Sequence, residues 1–84
     1  MFYTYILISQ ITGKLYIGYT NNIEARIRKH NNDKNFSTKN RGPWLLIYSK
    51  KFHSRSEAMK FEKYLKSLKS KQYILNKIKK GELL

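Results

Sequence analysis

The chain has 84 residues, no cysteine, and eighteen Lys and Arg against five Asp and Glu, for a formal net charge of +13. That length fits one domain over 1–84 with a small core. The missing cysteines exclude disulfides and thiolate-held zinc or iron–sulfur sites and suit a reducing interior, so a cytoplasmic location is expected. So large a cationic excess attracts polyanions. Nucleic acid comes ahead of a membrane surface, because no long basic helix carries a Trp or Phe face.

In chain order, 2–8 reads FYTYILI and 14–19 reads KLYIGY, both rich in β-branched and aromatic residues. The first run is too short and too punctuated by Tyr and Thr to span a bilayer, and Gly13 between the two can take a positive φ, so the pair predicts a hairpin. From 20 the period changes. Thr20 or Asn21 can cap a helix, and Ile23 and Ile27 fall one turn apart, which predicts a helix to about His30. The polar stretch 31–43 predicts a surface loop ending in Gly42-Pro43. WLLIYSK, 44–50, is nearly all apolar and predicts a strand buried on both faces. Ser54-Arg55-Ser56-Glu57 is a capping box opening a helix over 55–68, with Ala58, Phe61, Leu65 and Leu68 as its apolar stripe. Ser70 caps a last helix with Tyr73, Ile74 and Ile78 inward and Gly81 past its end. The order β-β-α-β-α-α predicts an α+β fold, a three-stranded sheet covered by helices.

Several residues have side chains suited to chemistry. Glu62 lies four residues after Ala58 and three before Leu65, beside the apolar stripe rather than opposite it. Two readings stand: an ordinary pair with Lys66 on a helix flank, or a carboxylate that shares a Mg²⁺ with substrate phosphate and water. The remaining acids have local explanations, among them a pair between Glu24 and Arg28. Arg26 and His30 stand one turn apart. Arg26 is either a solvated cation or a two-donor grip on phosphate. His30 is either an acid–base group or a charge that complements the helix dipole. His53 has no partner visible in sequence and reads as surface. Tyr5 and Tyr16 fall on adjacent hairpin strands, as core aromatics or as phenols whose pKa a nearby cation lowers. Gly18 marks a bulge or a close approach. Trp44 reads as core rather than as a stacking platform.

Taken together, Tyr5, then Tyr16-Ile17-Gly18, then Arg26 and His30, then Glu62, then Asn76 form an ordered set that resembles the GIY-YIG nuclease family over nearly the whole chain. The Tyr-Ile-Gly half of the signature is intact. Tyr3-Thr4-Tyr5 stands in the Gly-Ile-Tyr place and keeps only its tyrosine. That departure looks like the small stand-alone bacterial branch related to the amino-terminal domain of the excision-repair nuclease UvrC. The resemblance implies a three-stranded antiparallel sheet flanked by helices. It also implies phosphodiester hydrolysis in DNA, or RNA, with one divalent cation, Mg²⁺ or Mn²⁺. Carried over, Glu62 is the metal ligand and Arg26 the phosphate-stabilising arginine. Tyr16 is the water-activating base, with Tyr5 orienting beside it. His30, Gly18 and Asn76 support them. Arg28, Lys29, Lys34, Lys39 and Arg41 are then expected to hold the nucleic-acid backbone. The alternative is a non-catalytic nucleic-acid-binding module, or an accessory domain of a larger repair or ribosomal complex. Binding alone needs neither a carboxylate nor paired phenols.

Overall fold

A computed structural model of the chain describes residues 1–32 and 43–83. Its elements are β1 (Phe2–Ser9), β2 (Leu15–Thr20), α1 (Ile23–Asn31), β3 (Trp44–Phe52), α2 (Arg55–Ser67) and α3 (Lys71–Lys80). The strands form one antiparallel sheet in the order β2-β1-β3. Gly13, at φ 75°, closes the hairpin, and the Ser9 hydroxyl accepts from the backbone N–H of Ile11 and Thr12. The predicted fold class is the observed one.

β1 is the central strand, and its residues Thr4 to Leu7 are buried in sequence. β3 departs from expectation, because it is an edge strand with Leu45 half-exposed rather than a strand covered on both faces. An apolar run records hydrophobicity but not place in the sheet, and here the covered place belongs to β1. Between Ile6 and Leu7 the β1–β3 register shifts, leaving Ile47 as the extra residue of a bulge.

The alternation of β1 sends its side chains into two cores. On one face Tyr5 and Leu7 pack with Trp44, Ile27 of α1, Tyr16 and Leu46. On the other, Ile6 packs with Leu65 of α2, Ile74 of α3 and Leu83. The Thr4 hydroxyl donates to the Ala58 carbonyl at 2.7 Å and ties β1 to α2. The Tyr48 hydroxyl donates to the Leu83 carbonyl and holds the chain after α3 against β3. Asn31, the last residue of α1, accepts from the Trp44 N–H at 2.6 Å and donates to the Trp44 carbonyl at 3.3 Å, which locks α1 to the start of β3.

The helix ends follow local chemistry. Asn22, not Thr20 or Asn21, caps α1 by accepting from the Ala25 N–H at 3.1 Å. Ser54 caps α2 and Ser70 caps α3, as predicted. Tyr73 is half-exposed rather than inward, because Ile74 and Ile78 set the buried face and leave it on the flank under Lys77. Lys69, between α2 and α3, holds φ at 54°, where glycine is the usual residue. A side chain there costs about 1–2 kcal/mol. Among the described residues the ion pairs are Glu62–Lys66 and Lys77–Glu82, so the expected Glu24–Arg28 pair is not formed. No described helix is long and apolar enough to cross a membrane.

Candidate active site

The β1–β2 register pairs Tyr5 with Gly18 and runs without a break, so Gly18 marks no bulge. Its role is close approach. A Cβ at position 18 would lie 2.8 Å from the Tyr5 Oη, 3.0 Å from its Cζ and 3.2 Å from the Tyr16 Cε1. Tyr16, two residues back on the same face, stacks on Tyr5 with ring centroids 6.3 Å apart and planes at 29°.

α1 brings His30 against this pair. Its Nε2 is 3.2 Å from the Tyr5 Oη, and its ring centroid is 4.7 Å from that of Tyr16. His30 is fully buried. Burial first, and then the Arg26 charge, hold its pKa below the ordinary 6.5, so it is neutral at pH 7. A neutral imidazole does not complement the α1 dipole with a charge, which removes that reading of His30. The Tyr5 phenol is pushed well above its ordinary value by burial first and then by Tyr16; Arg26 pulls the other way, and Glu62 adds a smaller upward push. The expectation that cations depress the phenols therefore fails for Tyr5. At 1% exposure, desolvation outweighs the guanidinium, and Tyr5 keeps its proton.

A cleft of 370 Å³ opens beside Gly18 along β2. Because β2 is an edge strand, side chains from both faces of the sheet reach the cleft. Tyr5, Tyr16 and Arg26 come from the α1 face, and Tyr19, Arg55 and Glu62 from the α2 face. Glu62 has a side chain only 14% exposed, and its Oε2 is 3.2 Å from the Lys66 Nζ. The pair weighed from spacing is thus formed, and the same carboxylate also lines the cleft.

Arg55 was not among the expected site residues. Its guanidinium carbon lies 5.7 Å from the centroid of the Phe2 ring, at the cleft wall. The signal was available: Arg55 precedes Glu62 by seven residues, two helical turns, and so shares its face. Asn76 is not brought to the cleft. It is exposed on α3 and accepts from the Gln72 amide at 3.2 Å. It follows the buried Ile74 by two residues, roughly 200° around the helix. Lys29 lines a separate hollow that shares Arg26 with the cleft, and Arg28 is exposed and lines neither. Lys34, Lys39 and Arg41 lie outside the described residues.

A family model described as the GIY-YIG catalytic domain matches residues 1–79. The chain belongs to the GIY-YIG nuclease family. Among curated GIY-YIG relatives it is similar to a UPF0213 protein of Bacillus licheniformis, 42% identical over 83 residues, covering 94% of this chain and 84% of that one. A UPF0213 protein of Staphylococcus haemolyticus is 44% identical over 71 residues, covering 83% of this chain and 85% of that one. The solution NMR structure of a UPF0213 protein from Bacillus halodurans superposes with a TM-score of 0.56 at 35% identity, over 99% of this chain and 93% of that one. The first half of the GIY-YIG signature is degenerate here, but its tyrosine, Tyr5, is the residue packed against Gly18 of the intact half.

Proposed function

We propose that the cleft beside β2 binds a phosphodiester of nucleic acid, DNA before RNA, and hydrolyses it as a metal-dependent endonuclease. The observation that carries this reading is the convergence of two phenols, a guanidinium and a carboxylate from β1, β2, α1 and α2 on one cleft. Arg26 offers two donors and a charge that no pH near neutrality removes, which suits the negative charge that grows on phosphate oxygens during attack. Arg55 faces the same cleft and adds a second cation for the chain entering it. Tyr16 is the acceptor for the proton of the attacking water. Tyr5 keeps its own proton, and its hydrogen bond with the neutral His30 fixes the stack that orients Tyr16.

The donors present suit a hard divalent cation. Glu62 is the one acid lining the cleft, and no cluster of three His, Cys, Asp or Glu occurs among the described residues. The described donors thus form no closed zinc-type cage and fit Mg²⁺ or Mn²⁺ held by Glu62 with water and substrate oxygens. When bound, such an ion would supply charge neutralisation at the phosphate and leaving oxygen. Glu62 would exchange its Lys66 partner for the ion.

The test is cleavage of linear, nicked, branched and single-stranded substrates in Mg²⁺ or Mn²⁺. Glu62→Ala and Arg26→Ala are each expected to slow cutting by roughly 10²–10³-fold. Binding should persist and weaken linearly in log–log form with added salt. A Glu62→Ala protein that cuts like the parent removes the metal role. A parent that binds every substrate and cuts none leaves the binding module.

A further inference from the structure

Glu62 lines the cleft together with Arg26 and Arg55, yet among the described residues its ion pair is with neither. It is with Lys66, Nζ to Oε2 3.2 Å, one turn further along α2. The other neighbours of Glu62 at helical spacing are Ala58, Met59 and Leu65, so Lys66 is the one cation of α2 that stands a turn away. Arg26 and Arg55 enter no ion pair among the described residues and keep their donors for phosphate.

The two partners are unequal. The Glu62 side chain is 14% exposed and that of Lys66 is 56% exposed. A carboxylate so covered is costly without a positive partner. The lysine keeps its hydration, and an exposed pair at this spacing holds only weakly. Lys66 also stands in the last turn of α2, where the helix dipole favours a cation whether or not the pair is made. The acid therefore needs the contact, and the base gives it up easily. A guanidinium would grip the carboxylate with two donors in a fixed fork and would be harder to displace.

We infer that Lys66 is a positioning residue: in the free protein its ammonium stands at Glu62 in place of a divalent cation, and it yields that place when a phosphodiester enters with the ion. The inference rests on the proposed reading of the cleft and adds the order in which its components assemble. A dication approaching Glu62 alone gains one carboxylate and meets one ammonium that repels it. A phosphodiester changes both conditions. Its oxygens add ligands for a hard cation, and its charge offsets that of Lys66. Ion and nucleic acid then bind with positive coupling, each raising the affinity of the other by the same factor.

The test is Mn²⁺ binding to the protein without nucleic acid, followed by loss of the free-ion EPR signal, for the parent, Lys66→Met, Lys66→Arg and Lys66→Met/Glu62→Ala. Lys66→Met is expected to bind Mn²⁺ about tenfold more tightly than the parent, a gain that damage to the fold does not produce. Lys66→Arg keeps the charge and should bind no more tightly than the parent, and the double variant should lose the gain. A phosphorothioate oligonucleotide, which resists cutting, should tighten Mn²⁺ binding to the parent and do so less for Lys66→Met, once its own Mn²⁺ binding is subtracted. The inference is overturned if Lys66→Met binds Mn²⁺ like the parent, if the gain survives Glu62→Ala, or if the oligonucleotide acts equally on both proteins. A tightened Lys66→Met in a protein that cuts no substrate sinks the nuclease reading and leaves the role of Lys66 standing. A parent that cuts and loses cutting in Glu62→Ala, beside a Lys66→Met of unchanged Mn²⁺ affinity, does the reverse.

Discussion

At position 18 the decisive quantity is a distance. A methyl group there would sit 2.8 Å from the Tyr5 hydroxyl, and Tyr5 has no room to retreat at 1% exposure with His30 against it. Gly18→Ala is expected to cost about 1–3 kcal/mol of stability and to separate Tyr5 from His30. A melt unchanged from the parent would show that the ring slides freely. His30 sets a second expectation. Its folded pKa lies below the ordinary 6.5, so as pH falls the unfolded chain takes the proton first. Stability is then full above about 6.5 and declines as pH drops below it towards the folded value. Urea unfolding at a series of pH values should show this decline, and His30→Gln should flatten it. A flat parent curve over the same range would count against a buried neutral imidazole. Arg55 shows what spacing could have revealed: the two-turn interval to Glu62 was readable, but the capping box gave its neighbourhood a sufficient local explanation.

α2 is the element on which the cleft depends, since it carries both Arg55 and Glu62 while Ala58 and Leu65 bury its other side. Its start is set by Ser54, which accepts from the Glu57 N–H at 3.2 Å and donates to the Glu57 carboxylate at 3.1 Å. Ser54→Ala should cost about 1 kcal/mol, and the melting temperature should fall by roughly 4–8 °C. No measurable shift would mean that packing on Thr4 and Leu65 alone fixes the helix. The helices and the hairpin were legible because caps, periodicity and turn residues act within a few positions of one another. The half-exposed edge position of β3 is not legible in its apolar run, because place in a sheet is a relation between strands and leaves no mark inside one of them. The exposure of Tyr73 is hidden for a related reason, as Ile74 and Tyr73 lie next to each other and only packing on Ile6 and Leu65 decides which turns inward.

Over the whole molecule, a net charge of +13 is spread on a body whose Cα radius of gyration is 12.3 Å. So dense a charge favours a polyanion at long range, and the cleft beside β2 is the proposed place for it. The sequence by itself determined the element order, the caps of α2 and α3, the cationic excess and, through Tyr5, Tyr16-Ile17-Gly18, Arg26 and Glu62, the resemblance to a nuclease family. These are local patterns and ordered spacings, and they survive without coordinates. Only the tertiary structure decided that Tyr5 is too deeply buried to lose its proton, that His30 is neutral, and that Arg55 joins the cleft while Asn76 does not. Burial and convergence belong to the packing of β1, β2, α1 and α2 against one another. The free energy of a charge depends on that packing rather than on the residue's neighbours along the chain.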